Sequence, residues 1–215
     1  MSTPQRIAVL ASGGGSNLQA LLDHFAGPAR SAGEIVWVGS NRADAGALTR
    51  ARAAGIATDV ITDPSDGVAL LAQLTEARAE LLVLAGYLKL VPSAVVHAFR
   101  GRVLNVHPAL LPAFGGPGMY GTRVHEAVLA HGAKLSGVTV HFVDEQYDRG
   151  AIAAQWPVRV FPTDTAAALA ARVLRAEHQL LPRVVEAVAR GSLVLAADGH
   201  VSGDVPLPDL PEIAP

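Results

Sequence analysis

The chain has 215 residues, half of them hydrophobic, with 17 basic and 19 acidic side chains and a net charge of −2. That length supports one substantial domain rather than two large ones, and the interspersed charges give no basic stripe for a nucleic-acid backbone. Cysteine is absent, which excludes disulfides, thiolate metal sites and a cysteine nucleophile, while the lack of an apolar run near ~20 residues and of a secretory h-region after MSTPQR leads us to expect no membrane partner and a cytoplasmic location.

Short β-like runs alternate with alanine-rich helical ones. IAVLA (residues 7–11) is a continuous apolar strand, followed by a glycine cluster and then NLQALLDHF with helical spacing. EIVWVGS (34–40) predicts a second strand, and DAGALTRARAAG a helix that Gly55 ends. ATDVI gives a third strand, residues 68–78 a helix, LLVLA (81–85) a fourth strand and RVLNV (102–106) a fifth. Strands this uniformly apolar, separated by helices, predict a parallel sheet covered on both faces, a doubly wound α/β architecture.

After Gly121 the pattern changes. A helix over residues 122–131 precedes SGVTVHFV (136–143), where Val138, Val140 and Phe142 alternate with Thr139 and His141. AIAAQWPVRV follows closely enough to pair antiparallel with it. A long helix is expected over residues 164–190, with a kink at Pro182. The proline-rich tail DGHVSGDVPLPDLPEIAP is expected on the surface.

Two places carry chemistry. The first strand runs into ASGGGSNLQALL, so Gly13, Gly14 and Gly15, then Ser16 and Asn17, stand between a strand and a helix. Backbone N–H groups of such a turn approach an anion closely, and the helix dipole favours negative charge. Ser16 or Asn17 would alternatively serve only as a helix N-cap. A dinucleotide fingerprint would need glycine where Leu18 stands and an acid where Ser40-Asn41 stands, so a monophosphate cradle is expected and a nicotinamide cofactor is not.

The second place is LNVHPALLPAFGG. Residues two apart in a strand face the same way, so Asn105 and His107 project together from the carboxyl end of the fifth strand, where open α/β sheets bind ligands. An amide beside an imidazole suits carbonyl chemistry, one stabilising an oxyanion and the other handling a proton. The alternative is a strand-end pair that merely caps loop backbone. Asp144, Glu145 and Asp148 in VDEQYDRGAIAAQ offer a carboxylate to orient the ring, and spacing does not choose among them. No metal-ligand cluster is evident.

GGGSNLQALL, SNRADAGALTRARAAGI, LAGYLKLV, LNVHPALLP, GVTVHFVDEQYDRGAI and ARVLRAEH, in this order and spacing, resemble the glycinamide ribonucleotide formyltransferases, a folate-dependent formyltransferase family. The resemblance extends from the first strand to about Gly191. It implies a single domain over residues 1–215: a Rossmann-like, three-layer αβα fold with a mostly parallel sheet and an antiparallel C-terminal extension. Residues 1–100 would form the phosphate-binding half, 101–190 the catalytic and folate-binding half, and 191–215 a tail. Carried over position by position, Asn105, His107 and Asp148 match the catalytic trio. Gly15, Ser16 and Asn17 match the phosphate loop, and Glu177, with Arg175 in the same segment, the substrate-contacting stretch. Leu88, Lys89, Leu90 and Val91, Asn105, and Asp144, Glu145, Gln146, Tyr147 and Asp148 match the folate pocket. The implied reaction takes a formyl group from 10-formyltetrahydrofolate to the amine of glycinamide ribonucleotide in purine biosynthesis, without metal, by a monomer or homodimer.

Some positions depart from the family pattern. Ala109 stands where serine is common, Lys89 where arginine is common, and Arg149 where a small residue is usual and where it is expected to narrow the pocket mouth. GGPGMYGTRVHEAV is a less common loop; His125 within it is expected on a helix surface or as a cap, and His141 in a packed, hydrogen-bonded role. The relatives that formylate methionyl-tRNA would need a further C-terminal domain. A formyltetrahydrofolate hydrolase, the alternative reading, would carry an extra N-terminal one, and here the first strand starts within ten residues of Met1.

Overall fold

Alternate residues of the first strand face opposite layers. In the computed structural model, which describes residues 3–205, Ile7 and Val9 of β1 (Gln5–Leu10) enter one core cluster while Ala8 and Leu10 enter a second. The sheet runs β3-β2-β1-β4-β5-β6-β7. Parallel strands β1, β2 (Gly33–Ser40), β3 (Ala57–Val60), β4 (Leu81–Leu84) and β5 (Val103–His107) are followed by antiparallel β6 (Leu135–Phe142) and β7 (Ile152–Arg159). The first core cluster takes α1 (Ser16–Ala26), α2 (Gly46–Ala53) and the long α6 (Ala166–Ala189); the second takes α3 (Gly67–Glu76) and α4 (Ser93–Ala98). This is the expected doubly wound, three-layer arrangement, with strand order reversing between β1 and β4.

Helix α5 (Thr122–His131) occupies the expected residues. Helix α6 continues through the buried Pro182, so the proline does not end it. Three of these elements, one helix and two strands, were not read in the sequence. Helix α4 has only six residues and follows Pro92, too short for a periodic pattern. Strands β8 (Leu193–Leu195) and β9 (Val201–Gly203) pair as a hairpin that buries Leu193 and Val205, so the first part of the expected surface tail is ordered structure. The rest of that tail, residues 206–215, lies outside the described residues. Among the described residues, no helix is long and apolar enough to cross a membrane.

Candidate active site

Strand β5 ends with Val106 packed into the core, which turns Asn105 and His107 to the opposite face, as the period of two requires. Opposite them on β6 stand His141, paired with Asn105, and Thr139, paired with His107. The His141 ring Nδ1 donates to the Phe142 carbonyl at 2.9 Å, which leaves Nε2 to accept from Asn105 Nδ2 at 3.0 Å. His141 is therefore packed and hydrogen-bonded as expected, and it also fixes the Asn105 amide with one N–H left over.

Asp148 is the acid, of the three offered by its loop, that reaches this pair. Its Oδ2 lies 3.5 Å from His107 Nδ1 and its Oδ1 lies 3.6 Å from His141 Nε2. The Gly116 N–H donates to Oδ2 at 2.8 Å. Asp148 adopts a left-handed backbone with φ 56°, uncommon outside glycine, and Gly115 packs so closely that a Cβ there would meet Asp148 Cβ at 3.1 Å and Leu111 Cδ2 at 2.5 Å. Asp144 instead accepts from the Gln146 N–H at 2.8 Å, an Asx turn within the loop. Glu145 points outward to His97, 2.6 Å away.

His107 Nε2 donates to the Phe114 carbonyl at 2.9 Å, so Nδ1 is the ring nitrogen left to face Asp148. Burial pulls the His107 pKa below the ordinary histidine value, against the opposing pull of Asp148 and the Phe114 carbonyl. With Nε2 donating, the neutral form of the ring has its lone pair on Nδ1, the nitrogen that faces Asp148. Burial pushes the Asp148 carboxyl up, but the two facing histidines, His141 and then His107, and the Gly116 N–H together hold it below the usual carboxylate range. The loop that carries Phe114 and Gly116 is strapped from behind. Thr139 Oγ1 accepts the Leu111 N–H and donates to the Ala109 carbonyl, while Gln155 Nε2 donates to the Leu111 carbonyl. Loop support through Ala109 thus comes from its backbone carbonyl.

These groups open onto a cavity of about 680 Å³. Leu88, Lys89, Leu90 and Val91 form one wall and Gln146, Tyr147 and Asp148 another; Asp144 and Glu145 do not line it. Residues 116–122, the glycine-rich loop, form a third wall. Arg149 is exposed and does not line the cavity, so it does not narrow the mouth. His125 corrects the sequence expectation. It is 4% exposed, lines the cavity, and is held below the ordinary histidine pKa by burial and then by His107. Its place three residues before the buried Val128 on α5 was the periodic signal that marked it as inward-facing.

At the far end, Asn17 Nδ2 donates to Glu177 Oε2 at 2.7 Å, and both line the cavity. Burial pushes the Glu177 carboxyl upward, opposed by the Asn17 N–H. Neither Ser16 nor Asn17 caps α1; Gly15 is the N-cap, with φ 75° and no side-chain hydrogen bond. Gly15 does not line the cavity, and Ser16 lines an adjoining groove with Arg50 and His178. Arg175 falls on the exposed side of α6 and lines neither space, because the inward face is set by Leu174 and Glu177, three residues apart. Among the described residues, no group of three or more His, Asp or Glu side chains is arranged to hold a metal ion.

Residues 5–185 match the formyl transferase family. The chain is 44% identical over 202 residues to a chloroplastic phosphoribosylglycinamide formyltransferase of Arabidopsis thaliana, covering 91% of this chain and 69% of that one. A counterpart from Vigna unguiculata is also 44% identical, with 64% of its length covered. The human trifunctional purine biosynthetic protein adenosine-3 is 39% identical, and this chain spans 19% of it. Among solved structures, the phosphoribosylglycinamide formyltransferase of Anaplasma phagocytophilum superposes with a TM-score of 0.85 at 36% identity, covering 95% of both chains. A formyltetrahydrofolate deformylase of Pseudomonas syringae, 24% identical with a TM-score of 0.82, shares the fold. With the match extending over most of its length and across both halves of the site, the chain belongs to the formyl transferase family.

Proposed function

We propose that this protein transfers the formyl group of 10-formyltetrahydrofolate to the amine of glycinamide ribonucleotide, in the cytoplasm, as a step of purine biosynthesis. The observation that carries the reading is the convergence of Asn105, His107 and Asp148 on one cavity whose far end holds Asn17 and Glu177. Leu88 to Val91 and the Gln146–Tyr147 wall suit a flat, partly apolar folate. The start of α1, with the Ser16 side chain beside it, suits a phosphate, since the first amides of a helix have no intrahelical acceptor.

The residues divide the chemistry. The free Asn105 N–H donates to the oxygen that becomes negative as the amine nitrogen bonds to the formyl carbon. His107 Nδ1 takes the proton that this nitrogen sheds, and the imidazolium so formed is stabilised by Asp148 on one side and the Phe114 carbonyl on the other. The proton then passes to the departing folate nitrogen as the original C–N bond breaks, so His107 ends neutral. Glu177, fixed by Asn17, holds the glycinamide end in line, and the single cavity supplies the proximity contribution.

The test is spectroscopic. Folate release from 10-formyltetrahydrofolate is followed with and without glycinamide ribonucleotide, and formylated product is counted. Release that depends on the ribonucleotide, with one product per folate, is expected. Equal release without it would make water the nucleophile and the protein a hydrolase.

A further inference from the structure

The glycine loop owes its orientation to helix α2, which packs against its back. The Ala47 N–H donates to the Gly13 carbonyl at 3.1 Å, and Arg50 Nε donates to the Gly14 carbonyl at 2.8 Å. Gly15 sits against the same helix so closely that a Cβ would meet the Ala47 Cα at 2.6 Å. In a trans peptide the C=O and N–H point in opposite directions. Anchoring the Gly13 and Gly14 carbonyls toward α2 therefore turns the N–H groups of Gly14 and Gly15 away from it. Arg50 Nη1 also donates to Gln19 Oε1 at 3.1 Å, tying the arrangement to the second turn of α1. One exposed arginine thus joins three parts of the chain at the point where α1 begins.

We propose that Arg50 is a positioning residue for the ribonucleotide phosphate: by holding the Gly14 carbonyl it aims the glycine-loop amides at the phosphate oxygens. The proposal rests on the ribonucleotide reading above. Arg50 acts through the loop, and its role is confined to the phosphate end. Asn105, His107 and Asp148 lie on strand β5 and the β6–β7 loop, whose hydrogen bonds do not involve Arg50.

Arg50→Met keeps the aliphatic stem and removes both donors. Its KM for glycinamide ribonucleotide should rise about tenfold, the worth of one charge-assisted hydrogen bond, with kcat and the KM for the folate within about twofold. The preference for the ribonucleotide over its dephosphorylated ribonucleoside should fall by the same factor. Arg50→Lys, which retains one donor for the Gly14 carbonyl, should fall between the two. An unchanged ribonucleotide KM overturns the proposal, and so does an equal loss for ribonucleotide and ribonucleoside, or a loss in kcat alone. If Arg50→Met lacks a cooperative unfolding transition, the same comparison is read from Arg50→Lys. Failure of the functional reading itself shows separately, as unmodified protein without ribonucleotide-dependent turnover.

Discussion

Asp148 makes more contacts than its single carboxylate suggests. It faces two histidines, accepts a backbone N–H and occupies a left-handed backbone position. Because it opposes the effect of burial on His107, Asp148→Asn should drop the His107 pKa further. The acid limb of the kcat/KM profile, set by the neutral ring that accepts the proton, should then shift to lower pH. The rate itself should fall about 10²–10⁴-fold, the usual worth of a general acid–base element. An unmoved acid limb in the pH–rate profile would contradict the assigned role of His107. Glu177 behaves in the opposite sense. A carboxyl whose folded pKa is raised costs stability as pH rises above its unfolded value, and the cost is absent below it. Glu177→Gln, still able to accept from Asn17, should raise the urea midpoint at neutral pH and leave it unchanged in acid, while raising the KM for the ribonucleotide. A stability difference that survives in acid would mean the charge is not its source.

Strand β6 presents Thr139 to the loop after β5 and His141 to Asn105, so it acts as the template for the face of β5 that carries Asn105 and His107. Thr139→Val preserves the β-branched shape and removes the hydroxyl that serves the Leu111 N–H and the Ala109 carbonyl. It should cost about 1–3 kcal/mol in urea unfolding, the penalty for orphaned buried polar groups, and lower kcat by loosening Phe114 and Gly116. Neither Thr139 nor Gln155 was singled out from the sequence as part of the site. Their roles arise from strand pairing between positions some 30 and 44 residues distant from their partners. The strands of the parallel half were legible because both their faces are buried, which makes them continuous apolar runs. The Asp198-Gly199 pair was a hairpin signal that the composition of the proline-rich tail obscured.

Across the whole molecule, what could be read were the groups that act where they sit in sequence. Asn105 and His107 share a face because of the strand period alone, and the choice of Asp148 from its loop came from family resemblance. What could not be read were groups whose partners are brought in by distant chain, such as Thr139 and Gln155, whereas the places of buried His125 and outward-facing Arg175 follow from helical spacing that was passed over. The same global view supports a prediction about ligands. Binding to the native cavity alone stabilises it by mass action, so saturating glycinamide ribonucleotide should raise the thermal midpoint of the unmodified protein, by about 3 kcal/mol of added stability at a hundredfold excess over Kd. Calorimetric scans with and without the ribonucleotide check this, and coincident midpoints would mean that it does not bind.

The hydrogen bond between Asn17 and Glu177 spans 160 positions of the chain. During synthesis Asn17 leaves the ribosome ahead of all the strands but β1, yet its partner on α6 emerges only after every strand of the large sheet. The Asn17–Glu177 end of the cavity is therefore closed by an element made after the whole large sheet. A nascent chain arrested before α6 can have its parallel strands in place and still lack this end of the pocket, so tight ribonucleotide capture would report that synthesis has passed residue 177.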